Sequence, residues 1–167
     1  MIPVSPALSG GLTFSSNWRG FELRQNNQIV ATLSSPNIWC SSFEASTSDE
    51  NWIIRRSGFW GNRAEIVDRS SGQPIATFKL AWGGKGTLVF ADGQTFLSVT
   101  RGFWHPMWSL SSESGQAILE LHTREKSVHV HNVSQLPARR LALLILFTLF
   151  RVRQAEEAAA AASASAS

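Results

Sequence analysis

A mainly β fold, closed as an antiparallel barrel of about 12 strands around a central hydrophobic C-terminal α-helix, is the class this sequence predicts. Three observations predict it. Apolar and polar residues alternate with period two from about residue 18 to residue 130. Tight-turn residues separate the alternating stretches. A run of ten apolar and near-apolar residues, Leu141–Phe150, follows them and is too short to cross a bilayer.

In chain order, residues 1–17 are rich in Ser, Gly and Pro and read as a loose lead-in with one short strand at Gly11–Phe14. The alternating pairs then run Phe21/Leu23, Ile29/Ala31/Leu33, Phe43/Ala45, Trp52/Ile54, Ala64/Ile66 and Ala76/Phe78/Leu80. They continue as Leu88/Phe90, Leu97/Val99, Trp108/Leu110, Leu119/Leu121 and Val128/Val130. Gln25-Asn26-Asn27, Ser70-Ser71-Gly72, Ala91-Asp92-Gly93 and Glu113-Ser114-Gly115 supply residues that tolerate positive φ between strands, so sequence neighbours should pair as hairpins. No helical pattern interrupts the strands before Gln135, which excludes a parallel βαβ architecture.

A repeat overlies this pattern. Arg56-Ser57-Gly58-Phe59-Trp60 recurs as Arg101-Gly102-Phe103-Trp104, with a fainter copy at Arg19-Gly20-Phe21. Gln28, Gln73 and Gln116 open equivalent strands at spacings of 45 (73 − 28) and 43 (116 − 73), so each unit holds about four strands. Three units make twelve, and three blades are too few for a propeller, which favours one barrel.

The apolar run is bracketed by Arg139-Arg140 and by Arg151 and Arg153. At about 1.5 Å per residue it covers about 15 Å, half of what a hydrocarbon core demands. It has no polar side, so it cannot lie on a surface. A barrel of about twelve strands encloses a space of about a helix's width. The helix, at about 136–152, is expected to thread the axis, with the flanking arginines emerging at its two ends. Residues 18–153 then form one domain, and 154–167 form a low-complexity Ala/Ser tail, a helical extension through the Ala run followed by disorder.

Composition bounds the function. The chain has 167 residues, one domain's worth, with a net charge of +3 and no basic block, which falls short of a nucleic-acid binder. The single Cys40 excludes an internal disulfide, and the N-terminus lacks a secretory pattern, so a cytoplasmic monomer is expected.

The repeated Arg-x-Gly-Phe-Trp type segments, the turns ending in Gly-Gln and the apolar helix Leu141–Phe150 together resemble the tubby C-terminal-like superfamily. That superfamily includes phospholipid scramblases, LURP-one-related proteins and small bacterial relatives. The resemblance covers residues 18–153 and implies twelve strands around a hydrophobic helix. It also implies a range of activities: phosphoinositide binding, calcium-dependent lipid scrambling, and undefined roles. The acidic calcium segment and palmitoylated cysteine cluster of scramblases have no counterpart here, which argues against scrambling, and no head-group-binding residues carry over.

Two constellations could carry chemistry. Glu120, His122, His129 and His131 face outward on one hairpin, where His122, His129 and His131 could ligate zinc or nickel or simply be solvated. Arg55, Arg63, Arg69, Lys79 and Lys85 lie on or beside strands whose apolar sides point elsewhere. They could meet lipid phosphates or simply keep the surface wet. Trp82-Gly83-Gly84-Lys85-Gly86 lacks the Gly-Lys-Ser/Thr ending of a phosphate loop and reads as a hairpin connection. Trp60 and Trp104 hold equivalent repeat positions at the rim or in the core. Cys40 reads as a small buried residue in a strand. No nucleophile elbow, metalloprotease helix or dinucleotide fingerprint is present. The expectation is a non-enzymatic, cofactor-free module for anionic phospholipid or phosphoinositide head groups at a membrane surface, the alternative being a protein-interaction or structural scaffold.

Overall fold

The computed structural model describes residues 11–36, 41–58, 61–131, 134 and 136–166. Its strands are β1 (Leu12–Asn17), β2 (Gly20–Gln25), β3 (Gln28–Ser34), β4 (Ser42–Thr47), β5 (Asn51–Ser57) and β6 (Arg63–Asp68). Then come β7 (Pro74–Leu80), β8 (Gly86–Phe90), β9 (Thr95–Arg101), β10 (Met107–Ser112), β11 (Ala117–His122) and β12 (Ser127–Val130), and last the helix α1 (Ala138–Ser165). Each strand pairs antiparallel with its sequence neighbours, and β1 pairs with β12 to close a twelve-stranded barrel. A closed barrel leaves no sheet edge.

The barrel surrounds α1. Twelve consecutive helix residues, Leu141–Val152, are buried on every face, which only an enclosing sheet provides. Phe147 meets Phe78 with ring centroids 5.0 Å apart, and Phe150 meets Phe43 at 5.3 Å, both edge-on. The one hydroxyl in this stretch, on Thr148, donates to the Leu144 carbonyl at 2.9 Å and so reaches the core already satisfied.

Three hairpins show the four-strand repeat in their register. The β2–β3, β6–β7 and β10–β11 ladders each shift by one residue, after Leu23, Ile66 and Leu110. The extra residue is Val30, Ile75 or Ile118, at spacings of 45 (75 − 30) and 43 (118 − 75). Each bulge lets two successive apolar residues face or border the core, and therefore Val30, not Ile29, is fully buried.

The short strand expected at Gly11–Phe14 is present as Leu12–Asn17, where Leu12 and Phe14 alternate with polar residues and join the core. Three expectations need correction. On β9 the inward residues are Phe96 and Ser98, while Leu97 and Val99 point outward. Apolar residues occupy both faces there, and pairing of Leu88 with Phe96 decides the face. The helix begins at Ala138 and continues through the Ala/Ser tail to Ser165, as alanine's high propensity favours. Arg151 does not emerge from the barrel; it is buried inside the mouth.

Close approach explains two glycines. A Cβ on Gly20 would lie 1.8 Å from the Leu33 carbonyl oxygen, and one on Gly86 would lie 2.2 Å from the Phe78 ring.

Candidate functional site

The two ends of the barrel differ in chemistry. At the end where α1 begins, the connections are Asn26-Asn27, residues 48–50, 69–73, 91–94 and 113–116. They carry Asp49, Glu50, Asp92 and Glu113 against one base, Arg69, and no aromatic residue. This end anchors the helix. Arg139 lies 3.3 Å from Glu50 and 3.9 Å from Asp68, and Arg140 lies 2.7 Å from Asp92 and stacks 4.3 Å over Phe90. Asp68 accepts from the Ser70 hydroxyl and the Ser71 amide, which hold its carboxyl down at about 2. Asp92 is held low by the Gln94 amide and then by Arg140.

At the opposite end α1 leaves the barrel. Arg153 donates to the carbonyls of Asn17 and Trp18, Gln154 donates to the Gly61 carbonyl, and Arg56 pairs with Glu157 at 2.7 Å. The fully described connections here are Trp18-Arg19, residues 81–85, 102–106 and 123–126. They carry Arg19, Lys85, Arg124 and Lys126 against one acid, Glu125. Among the described residues the exposed large hydrophobics are Trp18 (67% exposed), Trp82 (100%), Phe103 (87%), Trp104 (84%) and Val89. All but Val89 stand on these connections. Arg19 stacks 4.3 Å over Trp18.

Beyond Trp60 and Trp104, which the repeat had marked for the rim or the core, the sequence carried a wider signal for this rim. Tryptophan recurs at 18, 39, 60, 82 and 104, at spacings of 21, 21, 22 and 22, about one per two strands. In an antiparallel barrel every second connection lies at the same end. Trp39, Cys40 and Trp60 fall outside the described residues.

Four of the five expected basic residues lie toward the aromatic end. Arg63 and Lys79 sit directly opposite each other on β6 and β7, Arg55 is on the neighbouring strand β5, and Lys85 is in the β7–β8 connection. All four are exposed and have no ion-pair partner among the described residues, although Glu65 stands opposite Arg55. Like charges placed opposite each other repel, so Arg63 and Lys79 favour an anion between or above them. Arg69 lies at the other end and pairs with Glu44 at 3.1 Å. Trp82–Gly84 is a single 3-10 turn with Gly83 and Gly84 both at φ 77°, a hairpin connection and not a phosphate loop.

The histidines share an outward face but disperse around Glu120. The Glu120 carboxylate lies 3.4 Å from His131 Nε2 and 3.9 Å from His122 Nε2, while His122 and His129 meet edge-on with centroids 4.9 Å apart. Among the described residues no group of three His, Cys, Asp or Glu side chains is placed to hold a metal ion.

No described helix is long and apolar enough to cross a membrane. Mid-strand outward positions such as Glu22, Glu44, Arg55, Glu65 and Lys79 carry charge around the barrel wall. No family model, no curated protein and no solved structure matches this chain.

Proposed function

We propose that the protein is a non-enzymatic module that docks peripherally on an anionic membrane surface, with the helix-exit end of its barrel facing the lipid. One observation carries this reading: Trp18, Trp82, Phe103 and Trp104 are exposed on the connections of one end, interleaved with Arg19, Lys85, Arg124 and Lys126. Tryptophan suits the head-group region because its ring is apolar and its N–H is polar. Each basic residue near an anionic surface contributes about 1 kcal/mol, so the four together supply on the order of 4 kcal/mol, less the repulsion of Glu125. Arg55, Arg63 and Lys79 lie behind the rim on the wall and add to the positive field.

The twelve-stranded barrel around a hydrophobic helix supports kinship with the tubby C-terminal-like superfamily, and lipid head groups are then a reasonable ligand class. Docking at the cytoplasmic face of a membrane follows from the same reading. The competing reading, a protein-interaction scaffold, takes support from the same exposed aromatics.

Vesicle co-sedimentation tests the proposal. The protein is expected to pellet with phosphatidylserine-containing vesicles at low salt, to be released as salt shortens the Debye length, and to ignore phosphatidylcholine vesicles. A Trp18→Ser/Trp82→Ser/Trp104→Ser variant should bind at least tenfold more weakly. A wild-type protein that pellets with neither vesicle, or equally with both, overturns the proposal, and the former result leaves the scaffold reading standing.

A further inference from the structure

Below the aromatic rim the barrel mouth holds a cavity of about 600 Å³, bounded by the last enclosed turn of α1. Three polar side-chain atoms on its walls are buried without a hydrogen-bond partner: Arg151 Nε, Trp108 Nε1 and Thr100 Oγ1. Arg151 and Trp108 are themselves only 5% and 4% exposed. Thr100 and Trp108 are direct cross-strand partners on β9 and β10, so both side chains enter the mouth side by side.

Arg151 is the unusual group. A buried guanidinium is ordinarily paired with a carboxylate, because taking its charge out of water is costly. Among the described residues no carboxylate pairs with Arg151. Among the described residues its hydrogen bond runs from Nη1 to Gln154 Oε1 at 2.9 Å. The rings of Phe78 and Trp108 lie 4.6 and 5.6 Å from its central carbon and meet part of the charge. Burial still pulls its pKa down to about 10. The acid on the cavity wall, Glu157, is already engaged by Arg56 at 2.7 Å. Leu80, Pro106, Ala155 and Ala158 supply the apolar part of the lining.

We infer that this cavity is an oxyanion-binding site. Arg151, the Trp108 indole N–H and the Thr100 hydroxyl hold the charged oxygens of a phosphate ester or carboxylate, and an apolar substituent lies against Leu80 and Pro106. All three protein groups can donate, which suits an acceptor-only ligand, and guanidinium with oxyanion gives the strong charge-assisted form of the bond. The site opens beneath the rim described above. Its identification as a lipid head-group pocket therefore rests on the membrane-docking reading, whereas its identification as an oxyanion site does not.

Titration calorimetry on the full chain tests the inference with two soluble probes, inorganic phosphate and monomeric dihexanoyl phosphatidic acid, run beside vesicle co-sedimentation. Saturable binding of the short-chain lipid is expected. Trp108→Phe removes the indole N–H together with part of the ring and should weaken it about tenfold, Thr100→Val removes the hydroxyl at nearly constant shape and should weaken it severalfold, and Arg151→Met should weaken it at least a hundredfold. Phosphate alone should bind more weakly at the same site, with the same order among the variants. If Arg151→Met fails to fold, the two conservative variants carry the test. Absence of saturable heat with both probes at millimolar concentration overturns the inference, as does binding that Trp108→Phe and Thr100→Val leave unchanged. Soluble probes that bind while vesicles are ignored support the site and sink membrane docking. Vesicles that bind while both probes fail do the reverse.

Discussion

Phe147→Ala isolates the contribution of the enclosed helix. Phe147 is 0% exposed at the middle of the buried stretch, 5.0 Å from the Phe78 ring and 5.9 Å from that of Phe150. Truncating a buried phenylalanine costs about 3–5 kcal/mol, the upper part applying where the surroundings cannot collapse into the space. A closed twelve-stranded wall is such a surrounding, so about 4 kcal/mol is expected. At roughly 2–4 °C per kcal/mol for a domain of this size, Tm should fall by about 8–16 °C. Urea unfolding followed by far-ultraviolet circular dichroism measures the loss directly. Ala160→Gly, on the exposed helical tail, is the control and should change stability by no more than about 1 kcal/mol. A Phe147→Ala protein within about 1 kcal/mol of wild type would refute the claim that the barrel is built around this helix.

Two further outcomes follow from the fold. Gly20→Ala forces a Cβ to 1.8 Å from the Leu33 carbonyl oxygen, a backbone atom that cannot swing away, so β2 and β3 must separate. A drop in urea midpoint is expected, at least as large as the 1–3 kcal/mol of an overpacked core, and an unchanged midpoint would contradict the register. Asp68 has its folded-state pKa depressed to about 2 from an ordinary carboxylate value near 3.8, so its contribution is full above about pH 4 and is lost as pH falls toward 2. Urea midpoints measured from pH 5 to pH 2 should therefore fall less steeply in Asp68→Asn than in wild type, and parallel curves would contradict this assignment.

Much of the barrel was legible because its signals are local. Alternation at Trp52/Ile54 or Ala76/Phe78 places side chains on one face without reference to any other strand. Leu141–Phe150 announced its own enclosure by lacking a polar side and being too short to span a bilayer. What was not legible depends on pairing. Phe96-Leu97-Ser98-Val99 offers apolar residues to both faces, and only the partner Leu88 chooses between them. Val30, Ile75 and Ile118 became adjacent buried or half-buried residues through bulges that period two does not describe.

The site divides in the same way. Arg63 and Lys79 were visible as outward charges, but their direct apposition is a matter of register. Arg151 reads in sequence as one of several arginines flanking an apolar run, although Val152 after it continues that run and marks the turn as still enclosed. The pairing of Thr100 with Trp108 that completes the cavity joins residues on different strands, and no spacing rule reports it.

The most direct test of membrane docking is to ask which end of the barrel meets lipid. An environment-sensitive dye attached through Trp104→Cys or Ser114→Cys, in a Cys40→Ser background, reports on the rim and on the opposite end respectively. A blue shift and quenching by brominated lipid are expected at position 104 on anionic vesicles, with position 114 unchanged. A shift at 114, or silence at both positions while the protein is vesicle-bound, would contradict docking through the rim.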